Sequence, residues 1–288
     1  MKIGILLPVL LLVAWTVPAV IWLTRHPSRH LAVIEYGTSK PLAPVGIRLH
    51  ERLVASLVRS VGARMALGLL LIGSLLAVLG VGWILGTIVQ DLLGHSQSPL
   101  LDGPVQQFFA SHRESRLTAA MRLVTNLGDS SKLMKLALLI GLLWWWRVRD
   151  PGPLVLLTGA YIGARVIEIT VKVLTHRPRP PAEQALDTFT RFAFPSAHVT
   201  YATVMYGALA LLLVASSSRH RWRTLILAAA MFIVALVGLS RMYLGAHWLT
   251  DVLGGMILGA AWLWCLVAVP PTVRAATVQS ESRRNSIS

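Results

Sequence analysis

Acidic residues are scarce in this 288-residue chain: 12 Asp and Glu stand against 27 Lys and Arg, and charged residues of both signs make up only 14% of it. That excludes an ordinary soluble domain, in which about a quarter of the residues are charged. Cysteine is nearly absent. The one thiol, Cys265, sits in an apolar run without a partner, so there is no disulfide framework and no CxxC metal site, and the redox compartment is left open. Internal repeats, low-complexity tracts and a second soluble domain are also missing. What is abundant is apolar: hydrophobic residues make up 55% of the chain and the mean hydropathy is +0.65, the composition of a polytopic membrane protein. The formal charge of +15 does not indicate a nucleic-acid partner, because Lys and Arg lie mostly in short segments between apolar runs rather than in a basic stripe.

Crossing about 30 Å of hydrocarbon takes roughly 20 mostly apolar residues of helix. By that measure the sequence predicts an all-α, polytopic transmembrane bundle with seven spans, at about 3–24, 65–89, 132–148, 153–175, 197–216, 224–240 and 250–269. The third is the weakest, with an unbroken apolar core only from Leu136 to Trp146 and Lys135 before it. Trp144, Trp145 and Trp146 followed by Arg147 and Arg149 supply an interfacial anchor for it. The first begins with Lys2 and has the apolar core of a signal peptide, but its length favours an uncleaved helix. Residues 1–64 are thus expected to hold a transmembrane helix and a basic cytoplasmic segment, 65–269 the helical core, and 270–288 a disordered cytoplasmic tail. Orientation follows from Arg25, Arg29, Lys40, Arg48, Arg52, Arg59 and Arg64, together with the basic turns 147–152 and 217–223 and the tail. These alternate so as to share one side, which the positive-inside rule makes cytoplasmic, with the N-terminus out and the C-terminus in.

Three clusters end the apolar runs: Lys172 with Arg179 and Pro180, then Pro195-Ser196-Ala197-His198, then Ser240-Arg241 with His247 and Asp251. On the topology above, all fall at the outer ends of four successive spans. Each residue alone has a structural explanation. Lys172 stands four residues after Glu168, a favourable helical ion pair. Arg179 between two prolines marks an extended helix exit, and Ser196 after Pro195 suits an N-cap. Their joint occurrence is improbable as packing, and ionisable groups at such depth are functional by default.

Charge balance gives the chemistry. Lys172, Arg179 and Arg241 converge with only Asp251 in the clusters to oppose them, which suits an anion rather than a metal ion. Arginine presents paired planar donors to phosphate oxygens, and the backbone N–H groups of Ser196, Ala197 and His198 lie at the positive end of a helix. His247 and Asp251, four apart, are expected to share a helix face, so the carboxylate holds one ring N–H and leaves the other nitrogen as a nucleophile. His198 has no sequence-local carboxylate and suits the acid/base role.

The combination Lys172-x6-Arg179-Pro180, Pro195-Ser196-Ala197-His198 and Ser240-Arg241-x5-His247-x3-Asp251 resembles the three-part signature of the type 2 phosphatidic acid phosphatase family, which shares its site with vanadium haloperoxidases. The resemblance implies a six-helix phosphatase core at 65–269 plus one extra N-terminal helix, a phosphohistidine at His247, acid/base work by His198, and hydrolysis of a lipid phosphate without metal or other cofactor. It also implies short interfacial helices within 90–131, bearing Phe108, Phe109, Leu117, Met121 and Leu127. The usual glycine before the histidine is Ala197 here, which is tolerated if its φ is helical. The expected partners are the bilayer and a lipid phosphate of the undecaprenyl diphosphate, phosphatidylglycerophosphate, phosphatidate or lipid A type, with the weight towards a polyprenyl diphosphate. A lipid phosphotransferase using the same phosphohistidine and a non-catalytic lipid-binding or transport protein are the alternatives.

Overall fold

The computed structural model describes residues 45–91, 101–181, 183, 185–186 and 192–285, so the expected first span at 3–24 lies outside them. The described residues contain α1 (Val45–Val61), α2 (Ala63–Asp91), α3 (Asp102–Ser111), α4 (Ser115–Thr125), a 3-10 turn (Asn126–Gly128), α5 (Ser130–Val148), α6 (Gly152–Thr175), α7 (Ala197–Ser216), α8 (His220–Tyr243) and α9 (Leu249–Asn285), and no strand among them.

Among the described residues, five stretches are long and apolar enough to cross a membrane: Ala63–Val89, Gly152–Thr175, Ala197–Ser216, His220–Tyr243 and Leu249–Val269. Large apolar side chains such as Leu76, Ile84, Met231 and Phe232 stay exposed on them, which lipid tolerates and water does not. The weak third span does form a helix, α5, of 19 residues, although Lys132 and Lys135 keep it below the same apolar standard. Its start is fixed by Asp129, whose carboxylate accepts from the N–H groups of Ser131 and Lys132, and its end by Arg149 in the left-handed conformation. Trp145 and Trp146 are exposed at that end.

The tail departs from expectation. Instead of becoming disordered at residue 270, α9 passes through Pro270 and Pro271 and continues to Asn285. Val273 is buried in one cluster with Val54, Ala55 and Val58 of α1, so the tail is ordered by packing rather than by its own propensity.

At the bundle's centre α7 packs against α6, α8 and α9. Between apolar tails and apolar side chains there is no hydrophobic drive, so association depends on close fit. Gly255 and Gly259 of α9 supply it. A Cβ on Gly255 would lie 3.0 Å from the Ser196 carbonyl, and one on Gly259 would lie 2.9 Å from the Thr203 Cβ. The C-terminal ends of α6 and α8 thereby meet the N-terminal ends of α7 and α9 at one end of the bundle, with the short helices α3 and α4 beside them.

Candidate active site

The first cluster closes α6. His176, in the left-handed conformation, donates its N–H to the Lys172 carbonyl, and the prolines at 178 and 180 prevent further helix. Lys172 is buried, and its ammonium sits 3.4 Å from Glu168, the pair that the four-residue spacing suggested. Glu168 is itself buried and accepts from the Tyr201 hydroxyl at 3.1 Å, with Arg165 at 3.5 Å. Beyond the helix, Arg179 Nη1 donates to the Ala246 carbonyl at 2.6 Å and lies 3.5 Å from His247 Nε2.

The second cluster opens α7. Ser196 is the residue before the helix, but its hydroxyl makes no cap. Its backbone N–H donates to the Asp251 carbonyl at 3.0 Å, while the buried Oγ has no hydrogen-bond partner among the described residues. The capping role expected for that hydroxyl is therefore not the one it has; the chain enters α7 without it. Ala197 is the first helical residue and is not among the residues with positive φ, so the alanine is conformationally unstrained at the position where the resemblance led to the expectation of glycine.

In the third cluster Arg241 is buried in the last turn of α8 and its Nη1 donates to Thr125 Oγ1 at 3.0 Å, tying α8 to α4. Ser240 is spent locally, its hydroxyl donating to the Val237 carbonyl at 2.7 Å. A tight reversal with Gly245 at φ +73° then delivers His247 to a position 1% exposed. His247 precedes α9 instead of lying on it, so its pairing with Asp251 comes from the turn and not from a shared helix face. Asp251 Oδ2 lies 3.4 Å from His247 Nδ1 and accepts the Trp248 N–H at 2.9 Å, the return half of a capping box.

Burial first, and then the charges of Lys172, Arg179, Arg241 and the nearby His198, push the His247 pKa well below the ordinary imidazole value. Both causes favour the neutral imidazole. His198 is partly buried at the start of α7, and Arg241, Asp129, Lys172 and Arg179 all act on it electrostatically. The Asp129 pKa is lowered chiefly by the Ser131 hydroxyl hydrogen bond, with the charge of His198 a further cause.

Two residues of the site lie outside the clusters read from the sequence. Arg177 is 0% exposed and forms an ion pair with Asp251 and another, at 2.7 Å, with Asp102, which is also 0% exposed. Together with Glu168, they change the charge balance expected from the sequence: Lys172, Arg177, Arg179 and Arg241, with Arg165 beside Glu168, face three buried carboxylates. The signal for Arg177 was its place in Arg177-Pro178-Arg179-Pro180, where only the second arginine belongs to the spacing pattern.

A helical membrane protein with a histidine site ringed by Lys and Arg at one end of its bundle is the class that these features define. Residues 153–275 match the PAP2 superfamily. Phosphatidylglycerophosphatase B of Bacillus subtilis (strain 168) is 36% identical over 151 residues, covering 51% of this chain and 72% of that protein. The crystal structure of a transmembrane PAP2-type phosphatidylglycerolphosphate phosphatase from Bacillus subtilis superposes with a TM-score of 0.58 at 28% identity, covering 67% of this chain and 94% of that one. The chain belongs to the PAP2 superfamily, the type 2 phosphatidic acid phosphatases, and is an integral membrane lipid phosphatase.

Proposed function

We propose that this chain hydrolyses the phosphomonoester of phosphatidylglycerophosphate, or of a lipid phosphate with a similar head, at the outer membrane face through a phosphohistidine on His247 and without a divalent metal. The relative's name shifts the choice of substrate away from a polyprenyl diphosphate. The observation that carries the mechanism is the environment of His247: Nδ1 faces a carboxylate, while Nε2 faces Arg179 in a cluster of cations.

In the first step Asp251 accepts a hydrogen bond from the His247 Nδ1–H, which keeps the lone pair on Nε2, and Nε2 attacks phosphorus in line with the ester oxygen. Lys172, Arg179, Arg241, the Ser196 hydroxyl and the first N–H groups of α7, at Ala197 and His198, bind the equatorial oxygens. As the P–O ester bond breaks, His198, whose protonated form the negative charge of the bound phosphate favours against the neighbouring cations, gives its proton to the departing alkoxide. In the second step His198 takes a proton from water, the new hydroxide attacks phosphorus, the P–N bond breaks and inorganic phosphate leaves with His247 neutral again.

The test is phosphate release from phosphatidylglycerophosphate, phosphatidate and undecaprenyl diphosphate by the purified chain in detergent with EDTA. Release that survives EDTA and is abolished by His247→Ala is the expected result. Release that stops with EDTA would refute metal independence. Transfer of radiolabelled phosphate to an added acceptor lipid, in place of release, would turn the reading to a phosphotransferase.

A further inference from the structure

The nucleophile's carboxylate is itself held. Arg177 Nη1 donates to Asp251 Oδ1 and, at 2.7 Å, to Thr250 Oγ1, while Nη2 donates to Asp102 Oδ2 at 2.7 Å. Asp102 comes from the start of α3, and it accepts the Thr250 N–H at 3.0 Å on Oδ1 and the Thr250 hydroxyl at 2.6 Å on Oδ2. Two carboxylates thus sit at the N-terminus of α9, where the free N–H groups and the helix dipole favour them, and one guanidinium bridges both.

The fork leaves Asp251 one orientation. Because Oδ1 is occupied by Arg177, Oδ2 is the oxygen turned to the Trp248 N–H and to His247 Nδ1. A rotation of the carboxylate would break the guanidinium contact and the backbone contact together. Arg177 is 1% exposed in its side chain and Asp102 0%, so no water competes for these bonds. Neither faces the cation cluster as a phosphate ligand would: the guanidinium donates to carboxylates and to a threonine hydroxyl.

Resting on the proposed role of His247, we infer that Arg177 and Asp102 are positioning residues for the nucleophile: they fix the Asp251 carboxylate so that it holds His247 in the attacking tautomer and orientation. Asp102 also makes α3 part of this arrangement, since the contact joins the short helix to the catalytic end of α9.

Asp102→Asn and Arg177→Lys separate positioning from scaffolding. Each keeps a polar group in place but removes the charge or the fork geometry. The measurements are kcat and KM on phosphatidylglycerophosphate, inhibition by inorganic phosphate, and the thermal midpoint in detergent, with wild type and His247→Ala alongside. The expected result is a fall in kcat of about 10-fold to 100-fold, the scale on which an ångström of misplacement acts. KM and the phosphate inhibition constant stay within about two-fold of wild type, because the phosphate-facing cations are untouched. Unchanged kcat in a folded variant overturns the inference, and so does a fall matched by an equal loss of phosphate inhibition, which is the mark of general damage. If neither variant folds, Thr250→Val removes only the hydroxyl that joins the two side chains, and the same criteria apply to it. If wild type is no more active than His247→Ala, the phosphohistidine reading falls and takes this inference with it; if only the positioning variants match wild type, this inference alone falls.

Discussion

His247 carries the most contradictory demands in the chain. In the proposed mechanism it is buried, surrounded by the cations that hold the phosphate, and still nucleophilic. The cations proposed to bind substrate resolve the conflict, since Lys172, Arg179 and Arg241 add to burial in favouring the unprotonated imidazole. The sign is definite. Protonation removes the lone pair, so a histidine at its ordinary pKa of about 6.5 would lose half its nucleophile at that pH. With the pKa pushed down, the acid limb of kcat/KM that belongs to the free enzyme lies below pH 6.5. Arg179→Gln moves that limb upward by removing one of the cations. A kcat/KM profile on a substrate of known phosphate ionisation checks both statements. The residues to which this chemistry is assigned could be picked out because a few ionisable groups stood at the ends of apolar runs. Arg177 and Asp102 were not, because their partners are 73 residues or more away and no spacing pattern links them. Scarcity was the available clue: with 12 acidic residues in the chain, an isolated Asp102 beside apolar spans requires a cation somewhere.

Among the elements, the distance between the second and third clusters is set by how closely α9 approaches α7. Gly255 and Gly259 stand four apart on α9 and meet the Ser196 carbonyl, Thr200 and Thr203. Moving the helices apart by the width of a side chain would pull Ser196 from the Asp251 carbonyl that receives its N–H. Gly259→Val forces that separation. It is expected to destabilise the chain by about 1–3 kcal/mol, the usual cost of overpacking, and to lower kcat more than a surface substitution with the same thermal midpoint. Thermal unfolding in detergent and steady-state kinetics on the same preparation check it. Span-length helices were readable because hydropathy over 20 residues averages out local detail. The α9 tail was not, since its order comes from Val273 packing on α1, a contact between distant parts of the chain.

At the scale of the molecule, the remaining question is which leaflet supplies the lipid. Ends of α6, α7, α8 and α9 that carry the site share one end of the bundle, and the turns at 147–152 and 217–223, rich in arginine, lie at the opposite ends of the same helices. By the positive-inside rule we propose that the site faces outside. Removing the one native thiol by Cys265→Ser permits a direct test with single cysteines at exposed Glu183, on the site side, and exposed Ser218, in the α7–α8 turn. In intact spheroplasts a membrane-impermeant maleimide is expected to label Glu183→Cys and to reach Ser218→Cys only after lysis. The reverse pattern would place the site among inner-leaflet headgroups. Because a lipid phosphate is charged and does not cross about 30 Å of hydrocarbon unaided, the labelling pattern fixes the pool on which the enzyme acts. With outward labelling, a substrate made on the cytoplasmic side has to be moved across before His247 can reach it; with inward labelling, it is met where it is made.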